Sequence, residues 1–156
     1  MKLSLLLAFA FILGGLGYWV YQGEGASYKN ATTYRQLSTE ANCFLQEASC
    51  HASDKQAQIM LSLNPQPVPL MKPIQASLQL SGLSDIDAIE LKVEGLNMYM
   101  GFQTVQLVKQ TATDWQGSFS LPLCSENEMH WQVIVSLVSA QQQQAYQAHF
   151  NLVTQR

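Results

Sequence analysis

Charged side chains are scarce in this 156-residue sequence: Asp, Glu, Lys and Arg make up 12% of it, whereas soluble domains usually carry roughly 25%. The net charge is -3, so there is no basic surface of the kind that binds nucleic acid. Cysteine is also rare, and three residues are too few for a scaffold held together mainly by disulfides. The length suits one domain with an appendage.

Motifs for catalysis are missing as well. The sequence contains no G-x-S-x-G nucleophile elbow, no phosphate-binding glycine loop, no H-E-x-x-H zinc motif and no C-x-x-C pair. The histidines, His51, His130 and His149, are far apart, and no pair of carboxylates stands out. These absences predict a binding or structural protein, not an enzyme.

A single long apolar run lies near the N-terminus. Residues 3–20 are almost entirely apolar and contain no charged residue, and a run of this length can cross a bilayer as a helix. Tyr18, Trp19 and Tyr21 cluster at its end, where aromatic rings favour the membrane interface. We therefore expect residues 1–21 to form a transmembrane anchor; the alternative is a signal peptide that is cleaved. Both interpretations place the rest of the chain outside the cytoplasm.

Beyond this run, the sequence is first polar and then alternates with a period of two. Residues 22–42 show no sustained period and are predicted to be a linker. Residues 43–156 alternate apolar with polar or small side chains in about seven short runs, which predicts an all-β domain of two sheets packed as a β-sandwich. Trp131 opens the most regular run and is predicted to lie in the core. The runs fall at residues 59–63, 74–80, 89–93, 105–107, 115–121, 131–137 and 146–152.

Sulfur-containing side chains are the candidate functional groups of this domain. Met98 and Met100 are two residues apart, so in an extended chain their thioethers share one face. Cys124, Met129 and His130 follow a strand later, around a turn. Because these side chains are soft or borderline ligands that suit Cu(I), all five are candidate metal ligands. The alternative is that the methionines and the cysteine fill the core and that His130 lies on the surface.

Two cysteines are close in sequence. Six residues separate Cys43 from Cys50, and a short hairpin brings such a pair within the Cα separation of ~5.5–6 Å that a disulfide needs. We expect these two to pair and Cys124 to remain free, because local pairing is entropically favoured. Pairing of Cys124 with one of them is the alternative.

Several segments resemble a family of membrane-anchored periplasmic proteins of proteobacteria. They are residues 93–101, 115–119, 121–124 and 129–131, together with residues 43–50 and the proline-rich stretch 65–73, and the resemblance covers most of the chain after Asn42. The chain is more distantly similar to the FixH and YtkA-like proteins, whose immunoglobulin-like domains are associated with respiratory oxidase assembly. The resemblance implies an immunoglobulin-like domain in the periplasm, a single span in the bacterial inner membrane, and a link to copper or to a haem-copper oxidase assembly complex.

Two functional hypotheses follow. In the first, the protein is an anchored accessory factor that binds Cu(I) through Met98, Met100, Cys124, Met129 and His130. In the second, it is an interaction module without a metal, and the sulfur side chains fill its core. The hypotheses differ in whether Met98, Met100 and Cys124 lie together and partly exposed at one end of the sandwich or dispersed in its centre.

Overall fold

A computed structural model describes residues 33–156, and within this range the fold is all-β. The predicted anchor, residues 1–21, lies outside the described residues. In the described part of the chain, no helix has the length and apolar character needed to span a membrane. The strands are β1 (Arg35–Gln36), β2 (Ser38–Thr39), β3 (Cys50–Ser53), β4 (Gln58–Asn64), β5 (Ile74–Ser81), β6 (Ala88–Gly95), β7 (Phe102–Gln106), β8 (Val108–Lys109), β9 (Asp114–Phe119), β10 (Glu128–Ser139) and β11 (Gln144–Gln155).

These strands form two sheets, which confirms the all-β, two-sheet prediction. The first sheet has the order β1-β11-β10-β6-β7, and the second has the order β2-β3-β4-β5-β9-β8. The longest strands, β10 and β11, pair as a hairpin from Glu128 opposite Gln155 to Ser139 opposite Gln144. β1 runs parallel to β11, and the other strand pairs are antiparallel.

At both lateral edges, the chain crosses from one sheet to the other between two successive short strands. The chain passes from β1 in the first sheet to β2 in the second at Leu37, and from β7 to β8 at Leu107. Both leucines are buried, and their backbone N–H groups still donate to neighbouring strands, to Gln147 and Ile89 respectively. Strands that change sheet in this way leave less free edge for pairing with another chain.

The core lies between the sheets and contains the apolar positions that alternate in the sequence. Along β10, for example, Met129, Trp131, Val133, Val135 and Leu137 are all buried. The prediction that Trp131 is a core residue is confirmed, because its side chain is 4% exposed. Its indole N–H donates to the hydroxyl of Thr154 at 2.9 Å, so the polar atom of the ring is also satisfied.

The domain starts before Cys43. β1 and β2 lie in the stretch 22–42, for which the sequence predicts a linker, and they pair with β11 and β3. The Arg35 guanidinium also forms an ion pair with Asp54 and donates to Gln56. Two-residue strands are too short to produce a visible alternation, which is why the pattern does not mark them.

The predicted disulfide between Cys43 and Cys50 is present, with the Cα atoms 5.7 Å apart. Cys124 is a free thiol. The loop that the disulfide closes is also fastened to β11, because the Leu45 N–H donates to the carbonyl of Asn151 at 3.0 Å.

The register of the strands defines two ends of the sandwich. The hairpin end carries the β10–β11 turn at residues 140–143, and Arg35 pairs with Tyr146 close to it, so the chain enters the domain there. The opposite end, here called the sulfur end, is formed by the loops at residues 43–49, 65–73, 96–101 and 120–127. The three cysteines and four of the methionines lie in or beside these loops: Cys43, Cys50, Cys124, Met71, Met98, Met100 and Met129.

Candidate metal centre

The loop that carries Met98 and Met100 is fastened to β10. The backbone N–H of Leu96 donates to the carbonyl of His130 at 2.8 Å. The Asn97 side chain then uses both polar atoms, donating from Nδ2 to the Glu128 carbonyl at 2.9 Å and accepting the His130 N–H at 3.0 Å. The side chain of Asn97 thus takes the place of the backbone hydrogen bonds that would otherwise continue the pairing of β6 with β10 beyond Gly95.

Met98 and Cys124 are brought together at this end. Cys124 lies in the loop between β9 and β10 and is 8% exposed. Its Sγ lies 2.9 Å from the Sδ of Met98, which is partly buried against the core. The thiol of Cys124 and the thioether of Met98, which are 26 positions apart in the sequence, therefore face each other near the surface.

Met129 supplies a third sulfur side chain close by. It is buried on the inner face of β10. A Cβ atom placed on Gly95 would lie 2.5 Å from the carbonyl oxygen of Met98 and 3.2 Å from the Cε of Met129. Glycine at position 95 is thus what allows both the Met98 carbonyl and the end of the Met129 side chain to lie against the backbone there.

Met100 occupies a different place from Met98. The expectation of a shared face assumes an extended chain, but residues 96–101 form an irregular loop between β6 and β7. Met98 packs against the core, whereas Met100 is 38% exposed and lines an open groove with Val93, Phe102 and Trp131. The groove has a volume of about 350 Å³.

His130 points to the outer face of β10, as the alternation with Met129 predicts. Its side chain is half exposed, and its Nε2 lies 2.9 Å from Oε1 of Glu128. The imidazole therefore faces away from the buried side chain of Met129. In residues 33–156, no group of three or more His, Cys, Asp and Glu side chains is arranged to hold a metal ion.

Among residues 33–156, two carboxyl groups have a lowered pKa, and both lie at the hairpin end. Backbone N–H groups of Gln56 and Ala57 donate to Asp54 and lower its pKa, and the charge of Arg35 acts in the same direction. Hydroxyl groups of Thr111 and Thr113 lower the pKa of Asp114 in a similar way. These interactions stabilise turns and are remote from the sulfur end.

Comparisons with known proteins bear on the fold alone. No protein-family model matches the chain, and no curated protein matches it. Among solved structures, the chain is similar to a DUF4785 family protein from Legionella pneumophila, with a TM-score of 0.52 and 11% sequence identity. The similarity covers 67% of this chain but only 30% of the Legionella protein, so the fold of this chain resembles one part of that larger molecule.

Two residues of this end are not among the candidates from the sequence. Asn97 fixes the loop at residues 96–101, here called the methionine loop, and an Asn two residues after the end of a strand is a weak signal for such a clamp. Met71, in the proline-rich stretch, lines the same groove as Met100. No periodicity identifies it, because its role depends on a loop from a distant part of the chain.

Proposed function

We propose that this chain is a membrane-anchored periplasmic accessory protein whose immunoglobulin-like domain binds Cu(I) at its sulfur end. The observation that carries the proposal is that the thiol of Cys124 and the thioether of Met98 meet at this end of the domain, where the thiol donates to Met98 Sδ. Thiolate and thioether are the ligands that select Cu(I). Zn(II) usually takes four ligands drawn from thiolate, imidazole and carboxylate, which the thioethers of this end do not provide.

The sulfur side chains have distinct roles in this proposal. Cys124 releases its proton when it binds the ion, and the resulting thiolate neutralises the positive charge. Met98 and Met129 are neutral thioethers, so they remain available as ligands at any pH. Burial of Cys124 and Met129 limits access of water and oxidants to the site. Met100 and His130 are also predicted from the sequence as ligands, but they are not part of the group formed by Cys124, Met98 and Met129.

The compartment and the partner are part of the same proposal. A disulfide between Cys43 and Cys50 is typical of an oxidising compartment such as the periplasm, and the apolar residues 3–20 provide the anchor. The resemblance to FixH and YtkA-like proteins supports a role in copper handling or in assembly of a respiratory oxidase. Binding and transfer of the ion, not catalysis, is the activity proposed.

Anaerobic titration of the full chain in detergent with Cu(I), against a competing chelator, tests the metal site. We expect one tightly held ion per chain. Met98→Leu keeps the volume of the side chain and Cys124→Ser keeps its shape, and each should weaken binding on the order of 10-fold or more. Met60→Leu, on β4 and away from the sulfur end, is the matched control and should bind as the parent does. Absence of binding by the parent, or parental affinity in both site variants, would refute the proposal.

The alternative function is an interaction module, and one observation favours it. Large apolar side chains are exposed at the same end, including Tyr99 at 80%, Phe102 at 62%, Leu96 at 55% and Leu123 at 49%. Exposed apolar surface on one end of a domain commonly marks a contact with another protein. If the chain binds no Cu(I), this surface becomes its functional feature, and the buried sulfur atoms then serve only packing.

A further inference from the structure

The open groove at the sulfur end is lined by two methionines from different loops. Met71 lies in the loop between β4 and β5, and Met100 lies in the loop between β6 and β7. Phe102 and Trp131 contribute apolar wall to the groove. Lys92 lies over the ring of Phe102 and is paired with Glu94 at 2.6 Å, so these two charges neutralise each other.

Core packing does not account for methionine at position 71. Its side chain is 69% exposed, so it contributes little buried area. Its backbone has a φ of 58°, a conformation that costs energy for a residue with a side chain. The backbone is held there because the Met71 N–H donates to the Leu121 carbonyl at 2.8 Å. A strained position that presents an exposed thioether is a reason to look for a role in binding.

The segments that line the groove continue directly into the inner sulfur pair. Met100 is two residues from Met98 in the same loop. Leu121 and Pro122 line the groove, and Cys124 follows two residues later. The exposed thioethers of the groove and the contact between Met98 and Cys124 thus lie on the same loops at one end of the sandwich, the thioethers outside and the contact farther in.

We propose that Met71 and Met100 form an outer entry site that receives Cu(I) and passes it to Cys124 and Met98. This inference rests on the proposed function. Two neutral thioethers hold Cu(I) weakly and exchange it readily, whereas the thiolate of Cys124 adds charge to the inner site, so transfer inward is favoured. The transfer is an exchange of ligands: the oxidation state of copper does not change, and the proton of the Cys124 thiol is released to solvent.

The rate at which the chain takes up Cu(I) distinguishes the effect of the entry site from that of the inner site. The full chain in detergent is mixed anaerobically with the acetonitrile complex of Cu(I), and the ultraviolet absorption of the copper–thiolate bond is followed with time. Met71→Leu should slow loading on the order of 10-fold while the final absorption and the affinity of the inner site stay as in the parent. Met71→Gly suits the left-handed backbone and should slow loading equally without lowering the melting temperature. Met60→Leu is the control for loss of a thioether elsewhere.

The outcomes distinguish this inference from the function on which it rests. If the parent acquires no copper–thiolate absorption, the proposed function itself fails. If the parent loads and both Met71 variants load at the parental rate, the inner site stands and the entry site is wrong. Slow loading by both Met71 variants, with a normal endpoint and a parental rate for Met60→Leu, is the result that the entry site predicts.

Discussion

Truncation of Trp131 should cost more stability than any neighbouring change on β10. The side chain is 4% exposed and lies between the sheets. A buried aromatic ring removes about 150–250 Å² from water, which at ~25 cal/mol per Å² corresponds to about 4–6 kcal/mol as an upper limit. Alanine retains part of this area, so we expect Trp131→Ala to lower the free energy of unfolding by about 3–5 kcal/mol.

The hydrogen bond from Trp131 to Thr154 can be separated from the packing. Trp131→Phe keeps most of the ring area but leaves the buried Thr154 hydroxyl without its donor. This variant should lose about 1–2 kcal/mol. His130→Ala is the matched control, because His130 is adjacent in sequence but half exposed on the outer face, and it should change stability by less than about 0.5 kcal/mol.

Urea unfolding of the full chain in mild detergent, followed by circular dichroism, measures all three variants. A shift of the midpoint without a change of slope gives the difference in stability. A loss below about 1 kcal/mol for Trp131→Ala, or a larger loss for His130→Ala, would show that the two faces of β10 are reversed, since a shift of one residue exchanges the faces of a strand.

Peptide mapping without reduction should recover Cys43 joined to Cys50, and replacing both by Ser should lower the free energy of unfolding by about 2–3 kcal/mol; a bridge to Cys124 would contradict the structure. The lowered pKa of Asp54 means that its stabilising contribution is complete above its ordinary value of 3.8 and is lost as pH falls below it, so unfolding measured from pH 6 to pH 2 should show a smaller decline for Asp54→Asn than for the parent. Cell fractionation should find the full-length protein in membranes, and a shortened soluble form would indicate cleavage of residues 1–21.

The strands that could be predicted are those with one buried face. Residues 59–63, 74–80 and 131–137 alternate because every second side chain enters the core. β1 and β2 could not be predicted, because each has two residues and only Leu37 between them reaches the core. Local pattern carries information about burial along one strand but none about which distant strand pairs with it.

The candidate site was predictable in composition but not in arrangement. Softness and spacing point to Met98 and Cys124, yet their contact joins residues 26 positions apart and depends on how two loops end. The conformation of the methionine loop is fixed by Asn97, whose partners Glu128 and His130 lie on another strand. Because Asn97 binds residues that are distant in the sequence, no local pattern predicts this loop conformation. A pattern that assumes an extended chain therefore gives Met98 and Met100 the same face, whereas Met98 packs against the core and Met100 lines the groove.

In the proposed site, Cys124 and Met98 hold Cu(I) through sulfur at one end of the domain. Copper K-edge X-ray absorption of the full chain, loaded anaerobically with one equivalent of Cu(I), measures the ligand atoms themselves. We expect a first coordination shell made only of sulfur, and a shell with fewer sulfur atoms in Cys124→Ser. A shell dominated by nitrogen or oxygen, or a spectrum that Cys124→Ser leaves unchanged, would contradict the proposed site.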